Sequence, residues 1–236
     1  MNTSVVYTRI PDCNAALMGA AARFGVADLH EALGPRLGRP AIMCPAMKPL
    51  NAGLKIAGQA VTAENYPGDN LFLYTALDII TRGQILVMTN GGGTAGAQWG
   101  ELAATYAQQI GVGGVVIDGP IRDTDALREM RFPIWSTSVS VSHPEKRGPG
   151  STNAPIVVAG VRVEPGDFIL ADGDGVIVIP PQLLAEAVAG ATARHDRELA
   201  FKQRMHAGEN ICDVCGLRPA MAAANITRLD RTWRDE

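Results

Sequence analysis

The chain has 236 residues, of which 47% are hydrophobic and 19% are charged. This composition supplies enough apolar surface for a packed core and excludes a chain that is disordered throughout. The formal net charge is −3, so no excess of positive charge favours a nucleic acid as partner. No apolar stretch reaches the length of about 18 residues that spans a membrane. The four cysteines are too few for a disulfide framework and favour a reduced, cytoplasmic protein.

Helical and strand-like patterns alternate along the chain, which predicts an α/β fold. Near the amino terminus the apolar spacing predicts a helix over 14–33, which ends at a Gly-Pro pair. Alternating apolar residues predict a strand over 55–62. A helix over 71–80 follows, and Asp69 stands before it as a candidate N-cap.

The rest of the chain continues the alternation and ends in a long helix. Short apolar runs predict three buried strands, over 84–88, 114–117 and 133–135. A helix is predicted between the first two of them, over 97–110. Later strands are predicted over 156–163, 167–171 and 176–179, and the turn Asp172–Gly175 joins the last two as a hairpin. The final predicted helix covers 182–205, with an apolar first half and a charged second half.

The glycine-rich stretch Gly91–Gly96 lies between a predicted strand and a predicted helix. Its spacing matches the G-x-G-x-x-G pattern of dinucleotide-binding folds, and Asp118 follows the next strand where a ribose-binding acid would lie. Short glycine turns also arise for steric reasons alone. Under either interpretation, free backbone N–H groups at a helix start predict a site for a phosphate or carboxylate.

Two carboxylates and a guanidinium are predicted to lie beside that anion site. Glu101 is near the start of the predicted helix, and Arg122 and Asp123 come directly after the next strand, with twenty residues between Glu101 and Arg122. Carboxyl ends of parallel strands and amino ends of the following helices share one edge of a sheet. Carboxylates with water suit Mg²⁺, and a guanidinium suits an oxygen that gains negative charge. The structural alternative is that Glu101 favours its helix start and that Arg122 and Asp123 cap the next helix.

The segment His143–Gly150 is rich in Pro and Gly and leaves two interpretations open. It is either a solvated loop or a cover over the site, in which case His143, Lys146 and Arg147 would contact a distal carboxylate of the ligand. The lysines, among them Lys48 and Lys146, show no context for a Schiff base and are predicted to lie at the surface.

Several motifs together resemble one enzyme family, the metal-dependent class II pyruvate aldolases. The resemblance covers roughly residues 15–210 and is carried chiefly by Gly91–Ala104, Gly111–Asp125 and Pro165–Pro180, with supporting matches at 47–50, 67–70 and 132–133. These enzymes act on 4-hydroxy-4-methyl-2-oxoglutarate and 4-carboxy-4-hydroxy-2-oxoadipate, and the segment 129–136 leans towards the second substrate. The same fold family includes the RraA-like regulators of ribonuclease E.

The resemblance implies a single α/β domain of the swivelling β/β/α, RraA-like type over 1–236, with a helical extension from about 182. It implies a homotrimer or homohexamer with active sites between subunits. In the family motif an acid precedes an Arg-Asp pair, so Asp123 would be the direct ligand of Mg²⁺ (or Mn²⁺) and Arg122 would bind the pyruvyl oxygen. The acid is usually Asp in the aldolases, whereas this chain has Glu101. Glu198 is the candidate for a glutamate that comes from the neighbouring subunit.

The implied activity is cleavage of a small 2-oxo acid to pyruvate, with oxaloacetate decarboxylation as a side activity. The substrate carboxylate would meet backbone N–H groups near Gly100, Leu102 and Ala103, and a water oriented by Glu101 and Glu198 would act as base. The ribonuclease regulators typically lack the aspartate of the Arg-Asp pair, so Asp123 favours an aldolase. Two alternatives remain: a non-enzymatic ribonuclease regulator, and an NAD-binding oxidoreductase that uses Gly91–Gly96. Neither the aldolase nor these alternatives requires a membrane.

Overall fold

The computed structural model describes residues 4–234 of the chain. Contacts between Cα atoms divide it into one unit that ends at Ala191 and a second that begins at Thr192. The larger unit contains the sheet and the candidate site. In the described part of the chain, no helix is both long and apolar enough to cross a membrane.

The predicted strands and helices occur in the predicted order, but the strand predicted over 156–163 is an antiparallel pair of short strands, and the structure adds elements that the sequence did not predict. The strands are β1 (Val5–Val6), β2 (Lys48–Pro49), β3 (Ile56–Asn65), β4 (Ile85–Thr89), β5 (Gly114–Ile121), β6 (Ile134–Val139), β7 (Gly150–Thr152), β8 (Ile156–Val158), β9 (Val161–Val163), β10 (Phe168–Ala171) and β11 (Val176–Ile179). The helices are α1 (Ala15–Ala21), α2 (Val26–Ala32), α3 (Gly34–Leu37), α4 (Leu71–Leu77), α5 (Glu101–Ile110), α6 (Thr124–Met130), α7 (Leu184–His206), α8 (Ile211–Val214) and α9 (Arg218–Ala223).

Four neighbouring strands, β3, β4, β5 and β6, form the parallel centre of the main sheet. Strand β4 is buried along its whole length, as expected of a strand covered on both faces. Its side chains alternate between two cores: Leu86 and Met88 belong to a core with α4, α5 and α6, while Ile85 and Val87 belong to a core with β8 and β9. Since the four strands run parallel, the loops after them lie at one edge of the sheet.

The later strands extend this sheet by antiparallel pairing. Strands β10 and β11 form the hairpin predicted from the turn Asp172–Gly175, and β10 also pairs with the first half of β3. A third core lies under this hairpin, where Phe168 and Ile177 pack with Leu29 of α2 and Leu184 of α7. The long strand β3 therefore belongs to both halves of the sheet.

Two predicted helices differ from the structure. The helix predicted over 14–33 is interrupted before Val26, because Gly25 serves as an N-cap and the Asp172 carboxylate accepts the Val26 N–H at 2.8 Å. The helix predicted to start at Ala97 starts at Glu101. In both cases long-range hydrogen bonds, which apolar spacing does not reveal, decide where the helix begins.

The second unit is helical. It comprises the charged later part of α7 together with α8 and α9, and it contains ion pairs between Arg194 and Glu198 and between Arg204 and Glu209, each 2.6 Å long. The predicted extent of the last long helix, 182–205, agrees closely with α7. The prediction of one domain over 1–236 with a helical extension stays a prediction.

Candidate active site

The loops that follow the four parallel strands together line one small pocket. Each of these loops contributes at least one residue to the pocket lining. The pocket therefore lies at the carboxyl ends of the strands, where parallel α/β sheets commonly bind their ligands. The lining residues are Asn70, Leu73, Tyr74, Ala97, Trp99, Gly100, Leu102, Ala103, Arg122, Asp123, Pro144 and Lys146. The sequence predicts that Arg122 and Asp123 lie beside the glycine turn Gly91–Gly96; in the structure they share the pocket with Ala97, Trp99 and Gly100, which follow that turn, and the pocket lining contains no residue of the turn itself.

Arg122 and Asp123 form an exposed ion pair directly after β5. The Arg122 Nε atom lies 3.6 Å from Asp123 Oδ2, and the two side chains are 38% and 41% exposed. Asp123 has a left-handed backbone, with φ at 56°, a conformation that aspartate tolerates better than most residues. The backbone N–H of Arg122 donates to Trp99 O at 2.9 Å. The chain thus leaves the strand with both functional groups turned towards the pocket and open to ligands.

The amino terminus of α5 faces this pair. Asp123 Oδ2 accepts the N–H of Glu101, the first residue of the helix, at 3.1 Å. Among the described residues, no hydrogen bond uses the N–H groups of Gly100, Leu102 and Ala103. Free N–H groups and the positive end of the helix dipole favour a carboxylate or phosphate at this position. The arrangement can hold an anion next to a guanidinium and a carboxylate.

Gly100 allows this close approach because it lacks a side chain. A Cβ atom at Gly100 would lie 2.6 Å from Asp123 Oδ2 and 3.3 Å from Arg122 Cγ. Its backbone, with φ at −160° and ψ at −176°, is extended and accessible to any residue. The requirement for glycine is therefore one of space and not of conformation.

The glycine turn Gly91–Gly96 does not adjoin a helix. Between it and α5 the chain runs beside β5, where Gln98 N donates to Pro120 O at 2.7 Å. The turn is held by two fully buried amides: Asn90 Nδ2 donates to Gly93 O at 3.1 Å and Gln98 Nε2 donates to Gly96 O at 3.1 Å. The free backbone N–H groups that could bind an anion lie at the start of α5, four residues after the turn.

The dinucleotide interpretation also fails at Asp118. Its carboxylate accepts the N–H of Ala159 at 2.8 Å and the hydroxyl of Thr137 at 3.3 Å, so it holds the sheet to the segment after β8. Gly96 is needed for packing, since a Cβ there would lie 2.5 Å from Gly68 O. The geometry gives these residues structural roles and does not support nucleotide binding by Gly91–Gly96.

The segment 142–148 covers one side of the pocket. Pro144 is buried and Lys146 is exposed, and both line the pocket, whereas His143 and Arg147 are exposed and do not. The Lys146 Nζ atom lies 5.8 Å from the centre of the Tyr74 ring. Pro144 and Lys146 thus bring the predicted segment His143–Gly150 to the pocket, although most of the segment is exposed, and its contact with a ligand carboxylate stays a prediction. Lys48 and Lys146 are exposed, as predicted, and Lys146 also lines the pocket.

Sequence reasoning missed Asn70 and Trp99 as pocket residues and missed the role of Asp69. Asp69 is buried, and its carboxylate accepts backbone N–H groups on both sides of the pocket. Burial by itself would raise the pKa of this carboxyl, but hydrogen bonds from Arg147, Leu71 and Gly148, together with the charge of Lys146, hold the pKa below its ordinary value. The position of residues 67–70 shortly after β3 was the signal that could have found Asp69 and Asn70.

The two glutamates predicted as site residues lie in different units of the structure. Glu101 begins α5 and contributes its N–H to the site, but its exposed side chain makes no hydrogen bond among the described residues. Glu198 belongs to the second unit, where it pairs with Arg194 at 2.6 Å. The roles of both side chains stay predictions.

The donors present suit a hard divalent cation that keeps most of its waters. Within residues 4–234 there is no group of three or more His, Cys, Asp or Glu residues that could hold a metal. Mg²⁺, however, is commonly held by one or two carboxylates, with water in its other positions. Asp123 Oδ1 accepts no hydrogen bond within the described chain, and the carboxylate is exposed to the pocket. A single-carboxylate Mg²⁺ or Mn²⁺ site at Asp123 therefore fits the residues present.

A family profile described as RraA-like, Aldolase/RraA, matches residues 26–178. The chain belongs to this family. A Burkholderia mallei protein provisionally named 4-hydroxy-4-methyl-2-oxoglutarate aldolase is 35% identical over 163 residues, which cover 68% of this chain and 98% of that protein. A Halalkalibacterium halodurans protein with the same provisional name is 37% identical over 134 residues, which cover 57% of this chain and 64% of that protein.

A solved structure confirms the RraA-like fold. RraAS2 of Streptomyces coelicolor, described as an unusual member of the RNase ES inhibitor RraA family, has a TM-score of 0.72 and 28% sequence identity. The match covers 83% of this chain and 98% of that one. The predicted mixed α/β, RraA-like fold is therefore correct. The relatives with this fold include proteins provisionally named as aldolases and a member of a ribonuclease-inhibitor family.

Proposed function

We propose that this RraA-like protein is a divalent-metal-dependent carbon–carbon lyase. Its reaction is retro-aldol cleavage of 4-carboxy-4-hydroxy-2-oxoadipate to pyruvate and oxaloacetate, or of 4-hydroxy-4-methyl-2-oxoglutarate to two pyruvates. The observation that carries the proposal is the Arg122–Asp123 pair against the free amino terminus of α5. An anion site, a cation ligand and a guanidinium within one pocket are what a 2-oxo acid requires.

The helix terminus binds the carboxylate of the 2-oxo acid. The N–H groups of Gly100, Leu102 and Ala103 donate to it, and the helix dipole adds a favourable field. This contact orients the neighbouring carbonyl towards Arg122 and Asp123. Binding through backbone groups leaves the three-carbon part of the substrate in a fixed position, whatever is attached at C4.

Cleavage of the C3–C4 bond leaves an enolate of pyruvate, and its negative charge develops on the carbonyl oxygen. Arg122 donates to that oxygen, and a preorganised donor of this kind stabilises the transition state more than the substrate. The divalent cation, held at Asp123, supplies further Lewis-acid stabilisation of the same charge when it is bound. Water then protonates C3, which gives pyruvate.

The reaction also needs a base for the C4 hydroxyl proton. We assign this task to a water oriented by Glu101 and by Glu198 of a neighbouring subunit, which makes the active enzyme a homotrimer or homohexamer. Glu101 has one methylene more than the aspartate common at this position, and its exposed side chain at the start of α5 can reach such a water. Lys146 lines the same pocket and is the candidate contact for the distal carboxylate.

The decisive experiment is a pyruvate-release assay with both aldol substrates and with oxaloacetate, each with and without Mg²⁺. Turnover is expected only with the metal, and EDTA is expected to abolish it. Oxaloacetate is expected to be decarboxylated as a side activity, because its decarboxylation passes through the same enolate. Borohydride should trap no adduct with substrate. Undiminished activity in EDTA together with a borohydride-trapped adduct would indicate Schiff-base chemistry and overturn the proposal.

A second candidate function is regulation of a ribonuclease. The fold shared with RraAS2, a member of the RNase ES inhibitor RraA family, supports it, whereas the presence of Asp123 beside Arg122 favours the lyase. Inhibition of a purified RNase E-type enzyme by stoichiometric amounts of this protein, combined with inertness towards all three 2-oxo acids, would favour the regulator.

Gly100→Ala tests whether the close contact with Asp123 matters for turnover. The new Cβ would displace the Asp123 carboxylate or the start of α5. A displacement of about 1 Å in a catalytic group costs on the order of 10–100-fold in rate. The variant should fold normally, since alanine accepts the extended backbone at this position. Gly19→Ala, where a Cβ meets nothing within 4 Å, is the matched control. Wild-type kcat in both variants would show that the Gly100–Asp123 approach is irrelevant to catalysis.

A further inference from the structure

Residues 142–148, which we call the strap, are fixed to the rest of the molecule at both ends. At the first end, Ser142 O accepts the N–H of Ala97 at 2.8 Å, and its hydroxyl accepts the N–H of Gly96 at 3.0 Å. In the middle, Glu145 N donates to Gly68 O at 2.8 Å, and Asn70 N donates to Glu145 O at 3.0 Å. The strap thus connects the loop after β4 with the loop after β3.

The far end of the strap is held by one buried carboxylate. Asp69 Oδ2 accepts the backbone N–H groups of both Arg147 and Gly148, and Oδ1 accepts the N–H of Leu71 at 2.8 Å. Asp69 is only 3% exposed, so these hydrogen bonds are shielded from water. Charge-assisted hydrogen bonds of this type are about twice as strong as neutral ones.

The strap residues that reach the pocket lie between these attachments. Pro144 and Lys146 line the pocket, whereas residues 142, 145, 147 and 148 make the backbone contacts. Gly148 packs closely against the loop after β3, because a Cβ atom at Gly148 would lie 2.6 Å from Tyr66 Cβ and 3.2 Å from Asp69 Cβ. A shift at Asp69 would therefore move Lys146 relative to Arg122.

We propose that Asp69 is a positioning residue that holds the strap over the pocket and so fixes Lys146 for substrate binding. It acts through the backbone of Arg147 and Gly148 and does not touch the reacting atoms. The consequence for substrate binding rests on the lyase function proposed above. The effect of Asp69 on the position of the strap does not depend on that function.

The test compares Asp69→Ala and Asp69→Asn with the wild type by two readouts. The first is amide hydrogen exchange of residues 145–148, and the second is the separation of KM from kcat for 4-carboxy-4-hydroxy-2-oxoadipate. Loss of charge-assisted hydrogen bonds should speed exchange and raise KM by about tenfold or more, with kcat within about twofold of wild type. Asp69→Asn keeps one acceptor oxygen and should rescue part of both effects.

Asp167→Asn is the matched control. Asp167 is also buried, at 5% exposure, and accepts a backbone N–H, that of Glu164 at 2.8 Å, but it does not contact the strap. It should leave exchange in the strap and KM unchanged. Wild-type exchange at residues 145–148 in both Asp69 variants would overturn the proposal, as would a loss confined to kcat. An inert wild-type enzyme would refute the lyase function, while exchange would still decide whether Asp69 holds the strap.

Discussion

Asp123→Asn is expected to reduce metal-dependent pyruvate release by about 10³-fold or more, because Lewis-acid stabilisation of the enolate amounts to several kcal/mol. Asparagine keeps the size of the side chain, tolerates the left-handed backbone at φ 56°, and still offers an oxygen to the Glu101 N–H. The fold should therefore survive. Steady-state kinetics over a range of Mg²⁺ concentrations measures the effect, together with a thermal unfolding midpoint as a check on folding.

Asp125→Asn is the control for this variant. Asp125 lies two residues further on, in the first turn of α6, with a fully exposed side chain that pairs with Arg128 at 3.2 Å. An exposed pair of this kind contributes little to stability, and removal of its charge should leave kcat unchanged. If Asp123→Asn retains wild-type turnover at every Mg²⁺ concentration, Asp123 is not the metal ligand.

Arg122→Lys is expected to lower kcat by about 10²-fold, the usual cost of removing one preorganised donor from a developing oxyanion. Lysine keeps the positive charge but loses the planar fork with which a guanidinium holds two oxygen atoms. Because the negative charge develops in the transition state, kcat should fall more than KM rises. The separate values of kcat and KM for both aldol substrates provide the measurement.

Arg128→Lys serves as its counterpart. Arg128 is an exposed arginine of α6 and lines no part of the pocket. Arg128→Lys should therefore have the kcat and the KM of the wild type. A rise in KM for Arg122→Lys with unchanged kcat would instead mean that the guanidinium only binds the substrate and does not stabilise the enolate.

The order of strands and helices was predictable because each element carries its own local pattern. The short apolar runs over 84–88, 114–117 and 133–135 overlap β4, β5 and β6, and Asp172–Gly175 has the composition of a hairpin turn. The break before Val26 was not predictable in the same way. It depends on a hydrogen bond to Asp172, 146 residues away in the chain.

The site was predictable to the extent that its residues follow consecutive elements. Glu101 and the Arg122–Asp123 pair occupy one βαβ unit, in which the shared edge of the sheet follows from general topology. Asp69, Asn70 and Lys146 come from loops after β3 and β6. Their arrival at the same edge required knowledge that all four strands are parallel neighbours, which the sequence alone does not give.

The glycine turn shows why a motif needs its structural context. The spacing of Gly91–Gly96 matched a dinucleotide fingerprint, but such a turn binds phosphate only where a helix begins directly after it. Here four residues separate Gly96 from α5, and the N–H groups of Gly91 and Gly96 already donate to the hydroxyls of Thr89 and Ser142.

The most direct test of a cation at Asp123 next to Arg122 is a titration of Mn²⁺ followed by electron paramagnetic resonance. Wild-type protein should remove Mn²⁺ saturably from the free-ion signal, and addition of oxalate, an analogue of the pyruvate enolate, should change the bound spectrum. Asp123→Asn should bind no Mn²⁺ at the same concentrations. Equal binding by both proteins would contradict the assignment.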